Sequence, residues 1–404
     1  VRVLVSGASI AGPVLAYWLT RRGFDVTVVE RAPELRKTGG HAVDLFRPAM
    51  EISEQMGVID QIQAWATGTT RMVLHRIGAR RPADLDYLKL VSVMSDRHVE
   101  IMRDDLSQIY FDAGRQHVDY IFGEQITAIA DDGTVELARS GRRRYDIVIG
   151  ADGLHSGVRQ LVFGPDAGHS RFLGGYLAVL SVPKSLAREG ELTGFLDARR
   201  WAMIYTADHL DDARAVFLFC PEAPLEYHHR DYARQRALLR GVFTGLGATV
   251  DRWLAELDGP GTFYFDSITQ LELTSWSRGR VTLVGDAGYC PGPGVGGSTS
   301  LAVLGAYVLA GELGRAGGDH TAAFAAYESV MADPVRHSRA FARTVAKSLV
   351  PRSQLGVRAL VGAGWALSAL PGRLTSAVAR FSDKGVRLYD GMQYPDYPLP
   401  RAIG

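Results

Sequence analysis

The apolar positions at the start of the chain change period within thirty residues. Val1, Val3, Leu4 and Val5 make the nearly continuous apolar run that a strand buried on both faces needs. The turn Gly7-Ala8-Ser9-Ile10-Ala11-Gly12 follows, after which Val14, Leu15, Trp18 and Leu19 recur at helical spacing until Arg21-Arg22-Gly23. Pro13 sits in the first turn, where a helix tolerates it. Residues 25–29 return to a strand pattern that ends in Glu30. This order of strand, glycine turn, helix, strand and acid is a dinucleotide-binding layout. The turn lets backbone approach a pyrophosphate at a helix N-terminus, and the acid accepts hydrogen bonds from a ribose. Gly7, Ser9, Ile10, Ala11, Gly12, Glu30 and Arg31 are the candidate contacts, with Ser9 in place of the usual middle glycine. The other reading is an ordinary βαβ unit with a tight turn. A carboxylate at position 30 suits FAD or NAD and would repel the 2′-phosphate of NADP.

Further along, residues 37–45 bring Gly39, Gly40, His41 and Asp44 into one loop, which suits either close approach to a flat ligand or a plain turn. Residues 48–62 read as two helices broken at Gly57, and 71–77 and 88–94 as strands. Leu106, Ile109, Tyr110 and Ala113 predict a helix over 103–113 with Arg103 at its start, placed either to hold a phosphate or to face solvent. Residues 119–130 and 134–137 read as short strands around the turn Asp131-Asp132-Gly133. A buried strand at 146–149 then delivers Asp152 and Gly153 to a turn, followed by Ser156 and Arg159.

From Phe172 the chain becomes rich in aromatic and β-branched residues. Residues 172–182, 200–206, 213–220 and 262–273 predict a mostly antiparallel sheet, with helices at 232–246 and 250–257 packed on it. A third buried strand ends at Gly285-Asp286 and leads through a glycine and proline loop, including Pro293, Gly296, Gly297 and Ser298, into a helix over 301–313. Exposed N–H groups of such a loop, with the helix's positive end, suit a ring carbonyl or a phosphate. Residues 322–388 read as largely helical, and Arg336, Arg339, Arg343, Lys347, Arg352 and Arg358 as a solvated basic face.

The fold expected is α/β: a Rossmann-like FAD-binding domain (1–70 with 95–170 and 278–345), a mostly antiparallel substrate domain (71–94 with 171–277) and a helical C-terminal region (346–404). Composition leaves this picture intact. The 404 residues are 47% hydrophobic and 22% charged with a net charge of +1, which gives no electrostatic case for nucleic acid. Cys220 and Cys290 are too few for a metal cluster or a disulfide framework, so a reducing cytoplasm is the expected home. No signal sequence and no transmembrane run is read, and a monomer or homodimer is expected.

The three glycine and acid segments occur in one order, and together they resemble the single-component FAD-dependent monooxygenases of the p-hydroxybenzoate hydroxylase fold, near the tetracycline- and polyketide-modifying members. The resemblance implies FAD as cofactor and NADPH or NADH as a transient reductant. It further implies hydroxylation or epoxidation of a hydrophobic, aromatic or polyketide small molecule through a flavin C4a-hydroperoxide. By the same resemblance Gly7, Gly12 and Glu30 hold the ADP half, Arg103 the flavin side chain or pyrophosphate, and Asp286, after Gly285, the ribityl chain. Asp152-Gly153 with Arg159 contacts FAD and the nicotinamide. From the composition of their own loop, Gly40 and His41 are added as candidate cofactor contacts. Tyr289 stands where the family commonly has a histidine, and Gly296-Gly297-Ser298 where it has Gly-Gln-Gly. Those departures keep open an alternative in which the flavin is structural and the reaction is a non-redox step such as a polyketide cyclisation. A NAD-dependent dehydrogenase or a redox sensor leaves the later motifs or the central domain without a task. Tyr176, Trp201, Met203, Tyr205 and Phe217, with Phe219, are the candidate substrate-facing residues; no catalytic base stands out.

Overall fold

The computed structural model describes residues 1–35, 40–92, 95, 97–165, 168–228, 230–294, 297–371 and 388–399. A six-stranded sheet carries the nucleotide end of the molecule. It is built from β1 (Arg2–Ser6), β2 (Asp25–Glu30), β7 (Asp119–Phe122), β11 (Ile147–Gly150), β17 (Ser277–Arg278) and β18 (Val281–Leu283). Their order is β17-β18-β11-β1-β2-β7, parallel except for the β17–β18 pair. Val3, Leu4 and Val5 are fully buried, as a central parallel strand requires. Helix α1 (Ala11–Thr20) is buried on nearly every side and packs against α5 (Arg103–Gly114) and α10 (Ser298–Arg315), which explains its lack of a polar face.

A seven-stranded sheet forms the second layer system. Its order is β16-β12-β15-β14-β13-β4-β5, from β4 (Arg71–Arg76), β5 (Ala83–Asp86), β12 (Ser170–Pro183), β13 (Glu191–Asp197), β14 (Arg200–Tyr205), β15 (Asp212–Phe219) and β16 (Phe263–Leu271). Neighbours are antiparallel apart from β13 and β4. One face is covered by α7 (Tyr232–Phe243) and α8 (Ala248–Ala255), with Leu239, Phe243, Val250, Trp253 and Leu254 in that core. The other face looks toward the first sheet. Two short strands, β3 (Ala42–Phe46) and β6 (His98–Met102), pair antiparallel between the two systems.

Three expectations of secondary structure are corrected by this structure. The strand expected over 88–94 is a helix over its described part: α4 (Tyr87–Ser92) is started by Asp86 Oδ1, which accepts from Lys89 N at 3.1 Å, and 93–94 lie outside the described residues. Residues 119–130 are interrupted at Gly123, so β7 joins the parallel sheet while β8 (Ile126–Ile129) pairs with β9 (Thr134–Leu137) in a separate three-stranded sheet that β10 (Gly141–Arg144) completes. The loop read over 37–45 continues into β3, because Val43 and Leu45 alternate inward against β6. β13 was not anticipated, having Gly194 at its centre and few β-branched residues.

Helix α2 (Arg47–Gln55) and α3 (Ile59–Ala64) flank Gly57, and α6 (Gly157–Phe163) follows β11. Helix α9 (Asp286–Tyr289) is a single turn after β18. The long α11 (His320–Ser348) precedes α12 (Gln354–Ala369), whose Val357 and Val361 close a small core with Leu74, Leu85 and Leu196. Residues 388–399 return to the body, where Tyr389 and Tyr397 are buried. Among the described residues no helix is long and apolar enough to cross a membrane.

Candidate active site

The nucleotide end is set by sterics at one turn. Gly7 has φ +108°, donates to Val29 O at 2.8 Å, and would place a Cβ 2.5 Å from Ala151 O. A Cβ on Gly12 would fall on the Gly7 carbonyl, so the helix starts directly over the turn. Ser9 tolerates a side chain because it points toward α5: its Oγ accepts from Arg103 Nη2 at 3.3 Å, and its carbonyl accepts from Ser107 Oγ at 3.0 Å. Ile10 is the N-cap residue of α1 and no side chain caps it, which leaves first-turn N–H groups and the positive end of the helix for a ligand. Glu30 is held beside this turn, accepting from Ala8 N at 3.0 Å and Ala32 N at 2.8 Å. Arg31 next to it is exposed.

The middle of the site converges on Arg103. Its backbone N donates to His41 O at 3.2 Å, while Gly40 N donates to Asp104 Oδ2 at 3.1 Å and Gly40 O accepts from Arg214 Nε at 3.2 Å. Burial lowers the His41 pKa to about 4, and the Arg103 charge pushes the same way. Burial raises the Asp286 carboxyl pKa, opposed by Arg103 and by a hydrogen bond from the Cys290 thiol. Burial also raises the Tyr264 phenol well above its ordinary value, with Asp266 adding to the rise and Arg103 opposing it. Three titratable groups from β16, α9 and the segment before β3 therefore share one cation.

In the segment after β11, Asp152 and Arg159 brace neighbouring backbone. Asp152 Oδ1 accepts from Ser156 Oγ at 2.5 Å and Oδ2 from Val158 N at 3.1 Å, so both oxygens secure the start of α6. Arg159 has no exposed surface and donates to Ala287 O at 2.8 Å and Leu154 O at 2.5 Å. Arg159 thereby braces the turn carrying Asp286 through Ala287. Gly285, with φ +66°, lies where a Cβ would be 3.2 Å from Ala302 and 3.3 Å from Ala11, so α1, α9 and α10 meet there.

Beyond α9 the loop passes Pro293 to Gly294, whose Cβ position is 3.4 Å from Leu177 of the second sheet. Gly296 lies outside the described residues. Gly297 is left-handed at φ +81° and is the N-cap of α10, with Ser298 as first helical residue and no side-chain cap. The Tyr389 phenol occupies the space a Gly297 Cβ would need, stacks on Phe46 at 4.9 Å and hydrogen-bonds Ser338 at 2.8 Å. Tyr289 points into the core instead: it is fully buried, accepts from the Tyr327 hydroxyl at 3.0 Å and fills the notch at Gly305.

Strand alternation divides the substrate candidates. Trp201 pairs across to Leu218 and Met203 to Val216, and these side chains lie on the face toward the first sheet, together with Leu177 and Tyr205. Tyr205 Oη accepts from Ala42 N at 2.6 Å, tying that face to β3. Tyr176, Phe217 and Phe219 project from the opposite face into the core under α7 and α8, where Phe217 meets Phe243 edge-on at 5.0 Å. Their expected place on the substrate side is corrected accordingly. The sequence reading missed Tyr264 and Asp266, which share one face of β16; Asp266 Oδ2 lies 2.7 Å from His155 Nε2 and accepts from Tyr264 Oη at 3.3 Å. An aspartate inside an otherwise aromatic strand was the available signal.

An uncapped helix end over a glycine turn, an acid at the neighbouring strand end and a second uncapped helix at the inter-sheet loop make a cradle for an extended dinucleotide. The family model described as "FAD binding domain" matches residues 1–316. The chain belongs to this family, and it is an FAD-dependent monooxygenase. An uncharacterized protein of Mycobacterium tuberculosis is 39% identical to the monooxygenase over 331 residues, 81% of this chain and 88% of the relative. A flavin-dependent monooxygenase from an unknown prokaryotic organism is 38% identical over 354 residues, 86% and 90% of the two chains. Among solved structures, the tetracycline destructase Tet(51) superposes with a TM-score of 0.81 at 31% identity, covering 98% of this chain and 99% of that one.

Proposed function

We propose that the monooxygenase uses NADPH or NADH with O2 to hydroxylate or epoxidise a hydrophobic aromatic or polycyclic small molecule of secondary-metabolite type. The observation that carries this reading is the meeting of Gly294 with the apolar face formed by Leu177, Trp201, Met203 and Leu218, at the loop that leads into the uncapped end of α10. The tetracycline destructase neighbour, whose name refers to a polycyclic compound, supports the choice of substrate class.

Bound FAD supplies the passage of electrons from the nicotinamide to O2. The chain supplies binding, orientation and exclusion of water. Glu30 would accept from the adenosine ribose, and the first turn of α1 with Arg103 would hold the diphosphate. Asp286, kept near Arg103, would accept from the ribityl hydroxyls. The N-terminal N–H groups of α10, beside Gly297 and Ser298, would donate to an electron-rich part of the cofactor. His41 stays neutral at neutral pH, because burial and Arg103 both oppose its protonation. The apolar face of the second sheet keeps water from the reacting atoms.

The alternative of a structural flavin and a non-redox cyclisation drew its support from Tyr289 and the altered loop. Tyr289 lies in the core against Gly305 and Tyr327, and Gly297 keeps its left-handed conformation, so neither favours that reading. The test is oxidation of NADH and NADPH in air, with and without tetracycline and other polycyclic phenols, followed by mass spectrometry under 18O2. Incorporation of one labelled oxygen atom into a product supports the proposal. Conversion of a polycycle without O2 or nicotinamide would sink it.

A further inference from the structure

On the far side of the Pro291 loop, α11 and the chain leaving β16 enclose a cleft of about 390 Å³. Arg336, Arg339 and Arg343 recur at helical spacing along its α11 wall, with Glu328 a few turns earlier, and Glu272 and Trp276 lie opposite. Most of these charges are answered. Arg336 pairs with Asp333 at 2.9 Å, and Arg343 donates to Gln270 Oε1 at 3.1 Å and lies 3.7 Å from Glu272. Glu272 is also 3.7 Å from Arg171, and Glu328 accepts from Ser275 Oγ at 2.9 Å and Trp276 N at 2.8 Å.

Arg339 is the exception. Its Nε and Nη2 are buried and have no hydrogen-bond partner, and the Trp276 indole Nε1 is in the same condition. This departs from the solvated basic face expected of the region. Burial also lowers the Arg339 pKa, against the pull of Glu272. A guanidinium and an indole can only donate, so the unmatched groups of the cleft all call for an acceptor. The planar fork of arginine matches two oxygens of one group, and Leu273 and Val335 give the cleft an apolar wall.

We propose that this cleft binds a small oxyanion, a carboxylate or phosphate group, through the side chain of Arg339. The site is connected to the cofactor loop through Gln270. That fully buried amide donates to Pro291 O at 2.9 Å and to Arg339 O at 3.0 Å, and its own oxygen accepts from Arg343. The oxyanion can arrive as a free metabolite or as a phosphate of the nicotinamide dinucleotide. Phosphate-free protein loaded with FAD is titrated separately with inorganic phosphate, benzoate and NADPH by calorimetry. At least one probe is expected to bind saturably at a site that Arg339→Gln weakens at least tenfold and Arg339→Lys weakens less, with flavin content unchanged. Sensitivity of phosphate or benzoate binding identifies a free ligand; sensitivity of NADPH alone identifies the reductant. The proposal is overturned if no probe binds saturably, which leaves water as the acceptor, or if Arg339→Gln binds every probe as tightly as the unaltered protein. Should Arg339→Gln fail to fold, Arg339→Lys and Arg343→Gln carry the test, and unchanged affinity in both overturns it.

Discussion

Arg159 offers the sharpest test of how the site is held. Its guanidinium is fully buried, donates to Ala287 O and Leu154 O, and offsets the burial of the Asp152 carboxyl. Truncation to alanine leaves the Ala287 and Leu154 carbonyls without that donor. Hydrogen bonds to a charged group contribute about 1.5–3 kcal/mol each. The contributions overlap, so Arg159→Ala is expected to lose about 4 kcal/mol in urea unfolding followed by fluorescence. Arg159→Lys keeps the charge but cannot fork to both carbonyls, and about 2 kcal/mol is expected. Because Ala287 directly follows Asp286, the lysine variant should also bind FAD about tenfold more weakly, roughly 1.4 kcal/mol. An alanine variant within 1 kcal/mol of the unaltered protein that retains FAD through dialysis would refute this reasoning.

The remaining predictions concern the sheet faces, the α10 entry and pH. Trp201→Ala and Met203→Ala should raise KM for a productive substrate with little loss of stability. Phe217→Ala should instead cost about 3–5 kcal/mol and leave KM unchanged, since its ring packs under α7; steady-state kinetics beside urea melts separates the two. Gly297→Ala should lower both stability and flavin content, by about 1–2 kcal/mol for the left-handed backbone alone and more because Tyr389 must move. The His41 pKa is depressed from 6.5 to about 4, so its contribution is present above pH 6.5 and is lost as the pH falls through about 4. Thermal melts of FAD-free protein should show a decline over that window that is smaller in His41→Asn. Equal declines in both proteins would exclude His41 as the source.

The sequence made the parallel sheet legible because buried parallel strands are continuous apolar runs and each ends in a glycine with an acid nearby, as at Glu30, Asp152 and Asp286. The antiparallel layer was legible as strands but not as faces. Residues 213–219 are buried on both sides, so no alternation in the sequence distinguishes Phe217 from Leu218. Helix α4 was hidden because its Asp86 cap closes only six residues, too few for a helical period to emerge. Partners distant along the chain left no local trace. Nothing around Gly297 announces that Tyr389 fills its missing side chain, and nothing around Asp152 shows that Ser156 and Val158 occupy its oxygens. Tyr289 read as a change beside the ring, whereas the Gly305 notch draws it into the core.

In the proposed reaction the flavin turns over with nicotinamide and O2. That turnover is tested most directly by anaerobic stopped-flow absorbance of the purified, dialysed holoprotein mixed with NADPH or NADH, then with O2. The expected result is a flavin spectrum that bleaches with at least one reductant, faster with substrate present, and returns on adding O2. A colourless protein that takes up no FAD, or a bound flavin that neither reductant bleaches, would contradict it.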